Sequence, residues 1–287
     1  MAEVRKCSQC PEEYKPKYYD VLNAHILVGQ GLCPDCAQKA YDEEVAKEKL
    51  AQQASIMGAR RKRRQECGIP PKFMNQDFST FEKGWQDKAL KLCSDYAENF
   101  PVDKRPTGYR SLYLWASGNK DNPSGNGTGK SHLSYAIVHR ILDRWTGEND
   151  KACPRIICLR EQELFRQIQA TYSFTQEEKM MRESEDDIIK QIIYADLVVI
   201  DDVGKEVRAN SDFVRKILFS LINGRYDQDL PLIITANLSP GQLKLHLDEP
   251  PTEASYSRFL EMTKKQSVVM DGKNYRREYE EVSDNIC

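Results

Sequence analysis

The chain has 287 residues, of which 30% are charged and 40% apolar, with a formal net charge of −2. That length accommodates one substantial domain of about 200 residues plus a small appendage, and a charge this close to zero excludes a global electrostatic case for nucleic acid, so any such contact has to be a local patch. No apolar run approaches the roughly 20 residues that span a bilayer, and Met1 to Cys10 lacks the apolar core of a signal peptide, so the expectation is a cytoplasmic protein without membrane contact.

Four of the nine cysteines form two C-x2-C pairs, Cys7/Cys10 and Cys33/Cys36. Two such knuckles, joined by about twenty residues, let four thiolates surround one Zn²⁺ tetrahedrally. A segment this short has little core of its own, so the metal would supply much of its folding free energy. Cys33-Pro34-Asp35-Cys36 also resembles a redox C-x-x-C, but no thioredoxin-like strand and helix pattern surrounds it, and the paired spacing favours structural zinc. The remaining cysteines, Cys67, Cys93, Cys153, Cys158 and Cys287, are scattered and read as core or surface thiols.

Residues Ala37 to Gln65 contain no proline and are rich in Ala, Glu, Lys and Gln, which predicts an exposed helix with one glycine, Gly58. It ends in Arg60-Arg61-Lys62-Arg63-Arg64, read either as a solvated helix end favoured by the helix dipole or as a contact for phosphate or an acidic partner. Gly68-Ile69-Pro70-Pro71 then breaks the helix. The expected organisation is a zinc-binding domain over 1–40, a basic helical linker over 41–67 and an ATPase domain over 68–287.

From there strands and helices alternate, as a parallel sheet covered by helices requires. Strands are predicted at Ser111 to Trp115, Arg155 to Leu159, Leu197 to Asp201 and Leu232 to Ala236, and helices at Trp85 to Asn99, Lys130 to Trp145, Glu161 to Tyr172, Asp186 to Ala195 and Ser211 to Arg225. Between the first strand and its helix lies Gly125-Asn126-Gly127-Thr128-Gly129-Lys130-Ser131, followed by His132. Glycines let such a loop curl so that its N–H groups converge on phosphate where a helix begins. Lys130 would reach the β- and γ-phosphates and the Ser131 hydroxyl would ligate Mg²⁺. The full pattern asks for glycine where Ser124 stands, and Gly118 to Pro123 looks like an insertion. A glycine-rich turn before a helix can arise by chance. Against chance stands Leu197-Val198-Val199-Ile200-Asp201-Asp202, a buried strand ending in two carboxylates, as in a Walker B segment. In such a core an added central strand can set a polar tip beside the γ-phosphate, and Asn237 ends the run from Ile233 in that way, although an Asn there is ordinarily just a turn former.

Gly68-Ile69-Pro70-Pro71-Lys72-Phe73, Phe78-x-x-Phe81, Gly127 through Leu133, Val199 through Gly204, Asn223-Gly224-Arg225-Tyr226, Ile234 through Leu238, Tyr256-Ser257-Arg258-Phe259 and Gly272 through Arg277 occur in an order that is highly specific in combination. Together they resemble the AAA+ ATPases of the bacterial replicative helicase loaders, the DnaC and DnaI type, and their relative, the transposition helper IstB. The cysteine knuckles additionally resemble the zinc-binding, helicase-interacting domain of DnaI-type loaders. The resemblance implies an AAA+ P-loop core, a parallel sheet between helices, without a clear C-terminal lid. It implies that Asp201 holds Mg²⁺ through water and that Asp202 replaces the usual glutamate that orients the attacking water. Asn237 becomes a sensor of the γ-phosphate, and Arg258 aligns with an arginine finger that reaches a neighbouring subunit's site. Arg276 and Arg277 are either a second sensor or DNA contacts. Gln167 to Ile193 corresponds to extra helices that line a DNA channel, where Tyr172, Phe174, Lys179, Arg182 and Lys190 offer sparse cations and rings, while the many acids there fit a solvated hairpin equally.

The implied function is an ATPase that uses ATP, Mg²⁺ and Zn²⁺, grips a hexameric replicative DNA helicase through its N-terminal domain, and delivers it to single-stranded DNA through nucleotide-dependent self-association. Two other readings stand beside it: a transposition helper that assembles on duplex DNA and recruits a transposase, and an ATPase whose nucleotide is purely structural. The zinc knuckles favour the loader.

Overall fold

The computed structural model describes residues 4–21, 24–27, 31–82, 84, 86–147, 152–175, 181–205, 211–264 and 266–276. Trp85, Lys179, Arg277 and Cys287 therefore lie outside the described residues. The chain forms two compact units, residues 1–58 and 59–287.

In the smaller unit, β1 (Arg5–Lys6) pairs antiparallel with β2 (Glu13–Tyr14), and β3 (Tyr18–Val21) with β4 (Ala24–Leu27). Helix α1 (Pro34–Glu66) begins inside the second knuckle, three residues before the predicted start, because Pro34 suits a first helical turn. The unit's small core is Cys7, Tyr14 and Cys33, with Cys10, Leu32 and Cys36 packed against it. Along its 33 residues α1 buries none, as its composition predicts. The parting between the units falls inside this helix, and its basic end belongs to the larger unit. There Arg60 Nε donates to the Trp145 carbonyl at 2.9 Å, Arg64 pairs with Asp143, and Lys62 and Arg63 lie near Glu66. Much of the basic run is thus engaged within its own chain.

The larger unit is built on β5 (Leu112–Trp115), β6 (Ile156–Arg160), β7 (Leu197–Val203), β8 (Leu232–Ala236) and β9 (Ser267–Val269), all parallel in the order β6-β7-β8-β5-β9. The predicted strand at Leu232 does enter centrally, between the strand that feeds the glycine loop and the strand that ends in the two aspartates. Near-continuous apolar runs suit a parallel sheet covered on both faces, and β7 and β8 are buried along almost their whole length. Strand β9 was not foreseen. It is three residues long at the sheet edge with only Val268 buried, too little to print a period.

The covering helices are α2 (Asp87–Asn99), α3 (Lys130–Arg144), α4 (Glu161–Thr171), α5 (Glu185–Ile193), α6 (Ser211–Asp227), α7 (Pro240–Leu247) and α8 (Ala254–Met262). The first five match the predicted set, whereas α7 and α8 are additions. At the far edge of the sheet the chain returns beside β6: Cys158 N donates to the Cys67 carbonyl at 2.6 Å. Gly68 adopts φ +82°, and a Cβ there would lie 2.2 Å from the Cys158 carbonyl oxygen, so only glycine turns the chain off α1 at this point.

Arg225 is the largest fully buried side chain. Its Nη1 donates to the carbonyls of Ile192, Ile193 and Ala195, and its Nη2 to that of Pro231, tying the end of α5 to the start of β8. Burial pulls its guanidinium down to about 9. The adjacent Gly224 is pressed against Ile193, whose Cδ1 would lie 2.4 Å from an added Cβ. Replacing Arg225 by Ala would strip four buried carbonyls of their donor, so Arg225→Ala should lower unfolding free energy by at least ~3 kcal/mol. Urea titration of the full chain measures this, and a loss below about 1 kcal/mol would show that water replaces the guanidinium without cost.

Candidate functional site

Lys130 and Ser131 open α3 directly after Gly129, whose φ is +92°. The irregular approach to the loop has a structural explanation. Asn119 Oδ1 accepts from the N–H groups of Asp121 and Asn122, and Asn122 Nδ2 donates to the Asn126 carbonyl at 2.8 Å, so the inserted turn braces the loop from beneath. The left-handed backbone that the loop needs lies at Gly125, φ +60°, rather than at Ser124, whose hydroxyl instead donates to Asn122 Oδ1. Lys130 Nζ donates to the Gly125 carbonyl at 2.8 Å and to Thr128 Oγ1 at 3.1 Å. Burial holds its ammonium down to about 8, against the upward pull of Asp202 and Asp201.

Asp201 is almost completely buried. Its Oδ1 accepts from Ser131 Oγ at 2.8 Å and Thr235 Oγ1 at 2.6 Å, and its Oδ2 from Tyr135 OH at 3.2 Å. Burial and the neighbouring Asp202 raise its carboxyl above the ordinary range, while the three hydroxyls pull it down. Pairing between β7 and β8 slips between Ile200 and Val203. This irregularity falls on the two aspartates and separates them, because an added residue re-aims the side chains beside it. Asp202 adopts φ +61°, donates its N–H to Thr235 Oγ1 at 3.0 Å, and lines a cavity of about 310 Å³ with the loop. Its Oδ2 accepts from Lys205 Nζ at 2.8 Å.

Asn237 faces the same cavity, with Nδ2 donating to Asn126 Oδ1 at 2.7 Å and its own buried Oδ1 lacking a partner among the described residues. His132 also lines the cavity: its Nε2 lies 2.8 Å from the Asp77 carbonyl and its ring meets Phe81 edge-on at 5.1 Å. Burial lowers the His132 imidazole, so it favours the neutral form. Gly129 admits Phe81, whose ring would lie 2.6 Å from an added Cβ. Gly127 admits Asn274 in the same way, at 1.9 Å, and its carbonyl accepts from Tyr275 N at 3.1 Å. The segment after β9 therefore folds over the loop and brings Arg276 into the cavity lining. Arg258 stands apart, on α8, with its guanidinium 5.8 Å from the ring centres of both Phe219 and Tyr226. It does not line this cavity.

Asn126 to His132, Asp202 and Asn237 thus line one cavity; Gly125 and Asp201 lie directly behind it, bonded to Lys130 and Ser131, and Arg258 does not line it. Sequence reasoning missed Lys205, Tyr135 and Thr235. Lys205 lies three residues beyond Asp202, yet no short motif marks it. Thr235 had a signal, since a hydroxyl in an otherwise apolar strand beside two carboxylates demands a partner.

The cavity suits a magnesium nucleotide in three respects: a buried lysine beside glycines that expose loop backbone, hydroxyl and carboxylate oxygens adjacent at Ser131 and Asp201, and the unpartnered Asn237 oxygen. Hard oxygen donors of this kind suit Mg²⁺. In the smaller unit the sulfurs of Cys7, Cys10, Cys33 and Cys36 all lie within 4.8 Å of one another. The Cys10 and Cys33 sulfurs are 3.6 Å apart, close to the ~3.8 Å edge of a tetrahedron with Zn–S bonds of about 2.3 Å. Cys33 N donates to Cys7 Sγ at 3.2 Å, which draws the Cys7 thiol down to about 6, while hydrogen bonds with the neighbouring sulfurs, that of Cys33 foremost, push Cys36 up to about 12. Four thiolates this close repel one another, and a dication is what would let all four ionise.

Within Gln167 to Ile193, Arg182 lies over the Phe174 ring at 5.2 Å and Tyr172 OH donates to Glu185 Oε2 at 2.6 Å. Ser184 and Asp187 form a capping box that starts α5. Among the described residues no helix is long and apolar enough to cross a membrane.

No family model matches the chain. It is 28% identical over 141 residues to the chromosomal replication initiator protein DnaA of two Cereibacter sphaeroides strains, a stretch covering 48% of this chain and 25% of theirs. The chain therefore spans about a quarter of the length of the curated relatives it matches. Among solved structures, domain III of the Thermotoga maritima replication initiation protein DnaA aligns with a TM-score of 0.50 at 16% identity, covering 75% of this chain and 76% of that one. The DnaC helicase loader aligns with a TM-score of 0.49 at 19% identity, covering 71% of this chain and all of that one. The likeness to the DnaA domain is one of fold, and the parallel sheet covered by helices is the one the sequence led us to expect.

Two expectations follow from this geometry. The chain should bind one Zn²⁺, lost together with the order of the smaller unit when a strong chelator is added; elemental analysis below about half an equivalent would leave the four cysteines as ordinary thiols. Because Lys130 titrates near 8 and phosphate binds its charged form, nucleotide affinity should weaken as pH rises through 8, by up to about tenfold per unit above it. Calorimetric titration with a non-hydrolysable ATP analogue at pH 7 and 9.5 measures this, and equal affinities would show that Lys130 stays charged.

Proposed function

We propose that this chain is an ATP-controlled loader of a replicative DNA helicase. The observation that carries the reading is the joining, in one chain, of a four-cysteine unit to a cavity lined by Lys130, Ser131, Asp202 and Asn237, with Asp201 bonded to Ser131 behind it and Arg258 outside its lining. A site furnished for phosphate and metal, with Arg258 outside its lining, suits closure by a second copy. The likeness to a replication initiator over 141 residues supports a role in DNA replication.

In this reading Lys130 and the loop N–H groups hold the β- and γ-phosphates, and Arg276 adds a cation from the segment that folds over the loop. Ser131 and, through water, Asp201 would hold Mg²⁺, which would neutralise phosphate charge. Asp202 orients the attacking water, and Asn237 fixes that water or the γ-phosphate. The side chain of Asp202 is one methylene shorter than glutamate and is engaged by Lys205, both of which fit slow hydrolysis that assembly accelerates. Arg258 is proposed to reach the site of a neighbouring copy, where a cation stabilises charge on the transferring phosphoryl group. The zinc unit and α1 would hold the helicase, single-stranded DNA would lie along the assembled ATPases, and nucleotide state would switch grip to release.

Variants separate these roles. Lys130→Ala should abolish nucleotide binding, while Asp202→Asn should bind normally and hydrolyse at least about tenfold more slowly. Arg258→Ala should leave the affinity of the isolated chain unchanged and reduce both turnover and self-association on single-stranded DNA, read by light scattering. Removal of residues 1–58 should spare hydrolysis and abolish helicase capture in a pull-down. Wild-type turnover in Asp202→Asn, or full capture by the shortened chain, would overturn the corresponding assignment.

A further inference from the structure

Glu161 is completely buried at the first position of α4, directly after β6. A carboxylate in a first helical turn ordinarily just complements the helix dipole from the surface. This one is sealed from water, and both of its oxygens are engaged elsewhere. Oε2 accepts from Gly204 N at 2.8 Å, and Oε1 lies 2.6 Å from His246 Nε2. Gly204 stands two residues beyond Asp202, with φ +88°, and a Cβ there would lie 2.4 Å from Leu238 Cδ1. Leu238 follows Asn237, and its carbonyl accepts from Tyr113 OH at 2.6 Å. The turn that aims Asp202 is therefore held between Glu161 on one side and the Asn237 loop on the other. His246 belongs to α7, the helix that begins just beyond that loop.

We infer that Glu161 and His246 form a positioning pair for hydrolysis: Glu161 holds the Gly204 amide, and His246 fixes Glu161, so that the Asp202 carboxylate is presented at the end of the triphosphate. Neither residue lines the nucleotide cavity, so the pair acts on the hydrolytic geometry rather than on binding. A carboxylate with no access to water and one N–H to hold costs more than it returns as a mere packing element, because its second oxygen would be stranded without His246. The inference rests on the reading of Asp202 as the water-orienting carboxylate.

The test compares Glu161→Ala, Glu161→Gln, His246→Ala and the double alanine variant in the full chain, by affinity for a non-hydrolysable ATP analogue, ATP turnover, and hydrogen exchange at the Gly204 amide. Affinity should stay within about twofold in all four, with turnover about tenfold lower in Glu161→Ala and about threefold lower in His246→Ala. The double variant should be no more than about twofold slower than Glu161→Ala, since the two residues act in series. Glu161→Gln keeps an acceptor for Gly204 and can donate to the other tautomer of His246, so it should recover to within about threefold of wild type. Unchanged turnover in Glu161→Ala, affinity falling in parallel with turnover, or losses that multiply in the double variant would each overturn the pair. Should Glu161→Ala fail to fold, His246→Ala carries the test: wild-type turnover together with wild-type exchange at Gly204 overturns the inference. If the wild-type chain hydrolyses no ATP, the reading of Asp202 fails by itself. The clamp is then judged by exchange alone, expected to rise at least about tenfold at Gly204 in His246→Ala, and unchanged protection overturns it.

Discussion

A buried carboxylate organises the larger unit. Asp201 lies within the apolar sheet, where an unpaired charge would be severely penalised, and the three hydroxyls that satisfy it come from two different elements. Ser131 and Tyr135 are one turn apart on α3, and Thr235 projects from β8. Their convergence requires β8 to lie beside β7 and α3 to cross above both. The strand order around the site is thus bound to the chemistry of one residue: a sheet in which β8 did not pair with β7 would leave Asp201 short of a donor.

The same constraint separates two adjacent aspartates into different roles. Asp201 continues the strand into the core, whereas the slipped pairing and left-handed backbone at Asp202 turn its carboxylate out to the cavity. Thr235 serves both, donating to one aspartate through its hydroxyl and accepting the amide of the other. Around the phosphate loop the limiting factor is space. Gly127 and Gly129 exist in the form they do because Asn274 and Phe81, from segments on opposite sides of the larger unit's sequence, approach to distances that no Cβ permits.

The smaller unit is stabilised on different terms. Among the described residues its core is a handful of side chains around four sulfurs, so a metal bound by the four thiolates would add to what apolar burial supplies. Helix α1 buries no residue and is held by charge pairs of modest individual worth. Its basic end is anchored on Trp145 and Asp143 of the larger unit, which accounts for part of a charge run whose alternative purpose was a partner's phosphates.

Much of this was legible in the residues because the governing interactions are short in sequence. The glycine loop, the apolar run ending in Asp201 and Asp202, the Asn237 strand tip and the paired cysteines each carry their chemistry within a few positions, and the composition and periods around them identified four strands and six helices. What the residues alone left undetermined depends on separations that no local pattern encodes. Strand β9 is too short and too exposed for its period to register, and α7 and α8 are short helices in a region marked mainly by the residues of the resemblance. Arg276 enters the cavity only because Asn274 and Tyr275 dock on Gly127, some 150 residues earlier in the chain. Glu161 reads as an ordinary first-turn carboxylate until folding sets Gly204 and His246 against its two oxygens. Composition and spacing determined which chemistry this chain can carry; burial, which is a property of the packed whole, decided which groups hold it in place.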